Sequence, residues 1–503
     1  MNTSTVDRDI RATLLACENE EARGNLSGAL DIVATALARD GEHPALQLKR
    51  AHILMALRRR AEGTAAAERA LEIAKPDPRL FEAVASIYLQ MNDAGRAKPL
   101  VYRALELAPN DPTLLYRAAL SHFYLNETAE ADDLLARVLA IGPGNGYAWH
   151  VRSQLATATR EANHITELRA ALGRPRAREI DTMLVAFSLA KELEDIGEFA
   201  QSFEVLLQAN GIKRRSLSYD VADDARTMQS VMTHYSADAM QGLRGGDEAP
   251  GAIFIVGMPR TGTTLVERIL GSHSAVASAG ETVDFPEEMT AAARATHSRL
   301  GLTDPNLLRA SLQMDFGDVG RRYLAAVRQL TGAARYTIDK LPFNFRYAGL
   351  IHTALPQAAI VHLIRDPMDT CYAVFKTLFI NAYHFSYRLE EIAEYFIAYR
   401  RMMDHWHAVM PGVILDVSYE ELVADPQTQS RRLLAHCRLP WEDQVLDFHR
   451  STKASTTAST MQVRRPIYRS SVQKWRNFTR ELQPVLRRLA EAGLVDADGN
   501  PLR

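Results

Sequence analysis

Four stretches in the first third of the chain repeat one another at a fixed interval, and this limits the possible folds more than any other feature. Ala36-Leu37, Ala70-Leu71, Ala104-Leu105 and Val138-Leu139 recur every 34 residues. Two columns of small residues keep the same step: Ala51, Ala85, Ala119 and Ser153, and Ala29, Gly63, Ala97 and Ala131. Pro44, Pro78, Pro112 and Gly146 mark the breaks. A repeat of this length holds two antiparallel helices, and neither can bury its apolar face alone, so neighbouring repeats must stack. Small residues fall where helices approach closely. Proline, with a fixed φ and no N–H to donate, suits the first turn of each repeat's opening helix.

The array resembles the tetratricopeptide repeat over residues 10–160, and a degenerate further pair is expected at 184–211, "LVAFSLAKELEDIGEFAQSFEVLLQANG". The resemblance implies an α-solenoid whose concave face holds a peptide or partner protein. The alternative, that the array only buttresses a neighbouring domain, stays open. Residues 161–249 read as a helical extension that ends in a Gly/Pro linker.

The second half opens on "GAIFIVGMPRTGTTLVERIL". Gly257 and Gly262 have the spacing of a phosphate-binding loop, and Thr264 stands where the magnesium-binding hydroxyl would be. Thr263 occupies the position at which nucleoside-triphosphate loops carry a lysine. A strand, a glycine loop and a helix N-terminus aim backbone N–H groups and the positive end of a helix dipole at an anion. Further apolar runs at 335–340 ("RYTIDK"), 357–367 ("QAAIVHLIRDP") and 411–422 ("PGVILDVSYEEL") are predicted strands with helices between them. That alternation predicts an α/β domain with a parallel sheet. Its ligand belongs at the carboxyl ends of the strands, where Arg260, Thr261, Lys340, Arg365, Asp366 and Tyr419 fall.

"GMPRTGTT" (257–264) with "HLIRDPMDTCYA" (362–373) resembles the paired nucleotide signatures of sulfotransferases that use 3′-phosphoadenosine 5′-phosphosulfate. The tyrosylprotein branch and its bacterial relatives are the most similar. "IDKLPFNF" (338–345) and "STMQVRRPIYRSSVQKW" (459–475) extend the resemblance over 250–480, and 481–503 is expected to be a helical tail. The donor presents one 5′-phosphate bearing sulfate and a separate 3′-phosphate, so the loop lysine and a metal become unnecessary. The implied donor-binding residues are Pro259, Arg260, Thr261, Gly262, Thr263, Thr264, Arg365, Tyr419 and Arg465. Arg365 holds the 3′-phosphate, while Ser459 and Gln462 lie with Arg465 in the segment that folds over the cofactor. Relatives place a serine eight residues after that arginine. This chain has Ala373, for which Thr370 or Arg465 would compensate.

Sulfuryl transfer needs in-line geometry, charge stabilisation at the leaving oxygen and a base for the incoming hydroxyl. Arg260 and Lys340 are the expected cations, and the resemblance makes Glu281 of "SAGETVDFP" the base. His273 is the rival base, with local capping or packing as its alternative role. The acceptor is a hydroxyl. Peptide tyrosine, carbohydrate, lipid and small phenol all stay open, with the repeats expected to recruit the acceptor or a partner. The competing reading is an inactive repeat adaptor with a nucleotide-sensing domain. A kinase is disfavoured by the missing lysine.

Composition narrows the partners. Fifty-nine Lys+Arg against 61 Asp+Glu leave a formal charge of -2, which offers no global basic field for nucleic acid. No apolar run is long enough to span a membrane. Cys17, Cys371 and Cys437 are far apart in sequence, which argues against a zinc site or disulfide framework. No metal is expected, and the cysteine usage points to a reducing cytoplasmic location.

Overall fold

The computed structural model describes residues 3–91, 93–175, 177–303, 306–450 and 471–502. It forms two compact units, one reaching Ala156 and the other starting at Thr157.

The first unit is the helical array. Opening helices start at Pro44, Pro78 and Pro112, with partners that start at Arg60, Ala94 and Thr128; Thr3–Ala22 and Leu26–Asp40 form the pair before them, and Gly146 starts a further opening helix. Each opening helix is capped by the residue before it: His43, Asp77, Asp111 and Asn145 all accept a backbone N–H through their side chains. Ala51, Ala85, Ala119, Ala29, Ala97 and Ala131 are all fully buried. At Gly63 an added Cβ would lie 2.9 Å from Met55 Sδ and 3.3 Å from the Ala51 carbonyl oxygen. The small-residue column is therefore what allows the helices to meet.

The second unit is built on a five-stranded parallel sheet: β1 (Ala252–Gly257), β2 (Val276–Ser278), β3 (Tyr336–Asp339), β4 (Ala359–Ile364) and β5 (Ile414–Ser418), in the order β2-β3-β1-β4-β5. The four predicted strands are all present. β2 is additional, and at three residues it is too short to show a period in sequence. Alternation along β1 feeds two cores. Phe254 and Val256 join Phe285 and Tyr323 on one face, while Ile253 and Ile255 join Val266, Ile269, Leu270 and Val361 on the other.

Two helices of the extension, Glu179–Asp195 and Phe199–Arg215, form a hairpin that belongs to this second unit. Phe203 lies against Phe375 and Phe478, with ring centroids 5.5 and 5.7 Å away. Asn210 Nδ2 donates to the Phe375 carbonyl at 3.1 Å, and Arg214 makes a two-pronged pair with Glu391 at 2.8 and 2.7 Å. The hairpin is thereby tied to the segment that follows β4.

Candidate active site

β1 runs into the glycine loop at Gly257, and the helix Thr263–Gly271 starts immediately after Gly262. Gly257 and Gly262 have φ of 147° and 103°, a region that favours glycine. Space excludes a side chain as well. A Cβ on Gly257 would sit 2.8 Å from the Leu363 carbonyl oxygen of β4, and one on Gly262 would sit 2.6 Å from the Tyr419 ring. Arg260, between them, also has a positive φ of 68°. Thr261 Oγ1 donates to the Met258 carbonyl at 2.8 Å, so this hydroxyl braces the loop and Pro259 within it. Thr263 and Thr264 occupy the first helical turn, where backbone N–H groups have no acceptor within the helix.

Arg365, just beyond β4, joins three elements. Its Nη1 donates to the Arg260 carbonyl at 3.0 Å and its Nη2 to the Ser471 carbonyl at 2.6 Å, while its guanidinium lies 4.9 Å from the centre of the Tyr419 ring. Tyr419 OH in turn bonds Ser471 Oγ at 2.6 Å. Asp369 accepts the Gln473 and Trp475 N–H groups at 2.6 and 3.0 Å, fastening residues 473–475 beside the same helix. Gly262, Arg260, Arg365 and Tyr419 are thus brought together as one cluster. Asp366 has a structural place: its carboxylate caps the helix Pro367–Phe375, and burial pushes its pKa up to about 6. Arg465, Ser459 and Gln462 lie outside the described residues.

Lys340 follows β3 and is fully buried. Its Nζ is ion-paired with Glu281 and lies 3.8 Å from Glu267 Oε2 on the glycine-loop helix. The Lys340 N–H donates to the Gly280 carbonyl at 2.9 Å, which holds the Glu281 loop against the strand end. Glu281 keeps 40% of its side chain exposed, so it can meet an incoming molecule. His273 is differently employed. It is buried, with Nε2 3.1 Å from the Pro440 carbonyl and Nδ1 accepting the Ala275 N–H at 3.1 Å. Both ring nitrogens are therefore occupied. Thr370 donates its hydroxyl proton to the Asp366 carbonyl at 2.9 Å, an internal helix contact.

Two cations near this cluster have no counterpart among the residues singled out in sequence. Lys376 follows the helix that Arg365 precedes, and Lys474 lies in the 473–475 segment. Both ammonium groups contact Glu194, at 2.8 and 2.5 Å. Burial lowers the pKa of Lys376 to about 8, with Glu194 opposing and Lys474 and Arg260 adding to the shift. Lys474 lies within the quoted "SSVQKW" stretch, which was its available signal; Lys376, eleven residues after Arg365, had none.

Among the described residues, His362, His407 and Asp416 could together offer three ligands to a metal. Their atoms already satisfy one another: His362 Nδ1 and His407 Nε2 lie 2.7 and 3.0 Å from Asp416 Oδ1, and His362 Nε2 bonds Tyr399 OH. All three cysteines are buried and free. Among the described residues no helix is long and apolar enough to cross a membrane.

Comparison with known proteins agrees with this architecture. Residues 250–443 match the sulfotransferase family and residues 88–155 the tetratricopeptide repeat. An uncharacterized protein of Aquifex aeolicus is 35% identical over 312 residues, 61% of this chain and 41% of that protein, so this chain spans under half of its length. Protein-tyrosine sulfotransferase A of Caenorhabditis elegans is 25% identical over 268 residues, 50% of this chain and 68% of that one. The solved sulfotransferase domain of the Synechococcus PCC 7002 olefin synthase is 20% identical, with a TM-score of 0.37 over 49% of this chain and 94% of that one. Residues 250–443 are thus similar to the sulfotransferase family, and they follow a stretch similar to the tetratricopeptide repeat.

Proposed function

We propose that this protein transfers a sulfuryl group from 3′-phosphoadenosine 5′-phosphosulfate to a hydroxyl acceptor, with a tyrosine of a protein or peptide recruited by the repeats as the foremost acceptor. The observation that carries the reading is the lysine-free glycine loop fastened to Arg365 and Tyr419. The residues present fit such a donor. The loop amides with Thr263 and Thr264 offer hydrogen bonds to a 5′-phosphosulfate, Arg365 a charge-assisted contact to a 3′-phosphate, and Tyr419 a ring face for the adenine.

The donor supplies an activated sulfuryl group. The bond from sulfur to the 5′-phosphate oxygen breaks with its electron pair left on that oxygen, and a new bond forms from sulfur to the acceptor oxygen. Glu281 takes the acceptor proton, and its ion pair with Lys340 keeps this carboxylate in place. Arg260 and Lys340 are the cations assigned to the charge that develops at the leaving oxygen. The preference for tyrosine draws on the similarity to protein-tyrosine sulfotransferases. The test is incubation of sulfur-labelled donor with host-cell extract and either wild-type protein or Glu281→Gln. A labelled macromolecular product made by the wild type alone is expected. Donor binding without any labelled product would favour an inactive, nucleotide-sensing adaptor.

A further inference from the structure

Glu194 lies near the end of the helix Glu179–Asp195, outside the segment matched to the sulfotransferase family. It is 8% exposed. Its Oε1 accepts from both Lys376 Nζ and Lys474 Nζ, and its Oε2 accepts from Tyr372 OH at 2.9 Å. A carboxylate that only tethered the hairpin to its neighbours would need one ammonium. Here two share a single oxygen, so among the described residues the two ammonium groups, 25% and 35% exposed, have one carboxylate in contact between them. Asp195, the adjacent acid, is itself paired with Lys191 at 2.7 Å. Two part-buried like charges on one carboxylate favour a further anion beside them.

The elements carrying the two lysines show where that anion belongs. Lys376 ends the helix that starts beside Arg365, and Lys474 lies in the strip whose Ser471 carbonyl is held by Arg365 and whose Gln473 and Trp475 N–H groups are held by Asp369. We infer that Glu194 is a positioning residue, contributed by the repeat-like hairpin, which keeps Lys376 and Lys474 side by side as part of the anion site around Arg260 and Arg365. This rests on the donor reading given above.

Without Glu194 the two ammonium groups would face each other with burial unrelieved, and one would release its proton or swing away. The groups that bear on them are Glu194 and Asp195 from the hairpin, Tyr372 from the helix before Lys376, and Arg260 from the glycine loop. Burial alone would raise the pKa of Glu194, but Lys376 and Lys474 carry it down to about 2. The acid therefore stays ionised across the working range.

The test is calorimetric affinity of the full chain for 3′,5′-adenosine bisphosphate at about pH 5.5 and about pH 7, both below the value of about 8 at which Lys376 of the wild type loses its own proton. Relative to wild type, Glu194→Gln is expected to lose about tenfold or more at the higher pH and to regain most of it at the lower, where protons return to the lysines. A purely structural tether would lower Tm without this pH-dependent loss. A folded Glu194→Gln protein that binds as tightly as wild type at both pH values, or more tightly, overturns the inference while leaving the donor reading intact. Failure of the wild type to bind overturns the donor reading, and the inference with it. Should Glu194→Gln not fold, Glu194→Gln/Lys474→Met is compared with Lys474→Met alone. With one ammonium gone there is no like charge to offset, so equal affinities are expected; a further tenfold loss in the double variant contradicts the inference.

Discussion

Glu281 and His273 present two candidate proton acceptors with opposite surroundings. Glu281 is part-exposed and paired with buried Lys340, whereas both nitrogens of His273 are occupied by backbone groups. Glu281→Gln keeps the volume and a hydrogen-bonding end but cannot take a proton. Turnover should fall about 10²- to 10⁴-fold while donor affinity persists. His273→Gln, measured with the same acceptor, should change turnover far less, and the reverse pattern would reassign the base. Gly262→Ala tests the loop itself. It places a methyl against the Tyr419 ring at a φ of 103°, and should weaken donor binding and cost about 1–3 kcal/mol of stability by thermal unfolding. The loop glycines, Arg365 and Tyr419 were legible in sequence because strand ends and glycine spacing have local signatures. Glu194 and Lys376 were not, because their meeting depends on a contact across 182 residues.

At the level of elements, four of five strands could be read from apolar runs, and the fifth, β2, was too short to carry a pattern. The hairpin 179–215 shows a different limit. Its sequence has the look of one more repeat, yet its buried face is used by the second unit, and a period cannot say which neighbour a helix pair will cover. The end of β3 carries a testable electrostatic cost. Burial raises the pKa of Asp339 to about 8, with the Asp284 charge adding to it and Tyr323, Asn344 and the Leu341 N–H opposing it. In the unfolded chain this group ionises near its ordinary value of about 3.9. The folded state therefore holds the extra proton, and the stability tied to that proton is complete below the unfolded value and is lost as pH rises towards 8. Asp339→Asn mimics the protonated acid. Its Tm should exceed that of wild type near pH 8, with the gap closing towards about pH 4; a gap independent of pH would contradict the assignment. Lys376 should have its own signature, a loss of donor affinity as pH rises through about 8 that Lys376→Met abolishes.

For the whole molecule, the division at 156/157 separates the repeat array from the unit that holds the candidate site, and it can be cut. Removal of residues 1–156 should impair turnover of a macromolecular acceptor more than that of a small phenol, since remote contacts help only a substrate large enough to reach them. Equal effects on both acceptors would leave the repeats without a substrate role. The central claim is that a glycine loop without a lysine, joined to Arg365, holds a nucleotide with separate 3′- and 5′-charges instead of a triphosphate. Calorimetry with 3′,5′-adenosine bisphosphate and with ATP, each with and without magnesium, tests it most directly. The account predicts magnesium-independent binding of the bisphosphate, far weaker binding of ATP, and a loss of about 2–5 kcal/mol for Arg365→Ala. Equal affinity for ATP, or a strict requirement for magnesium, would contradict it.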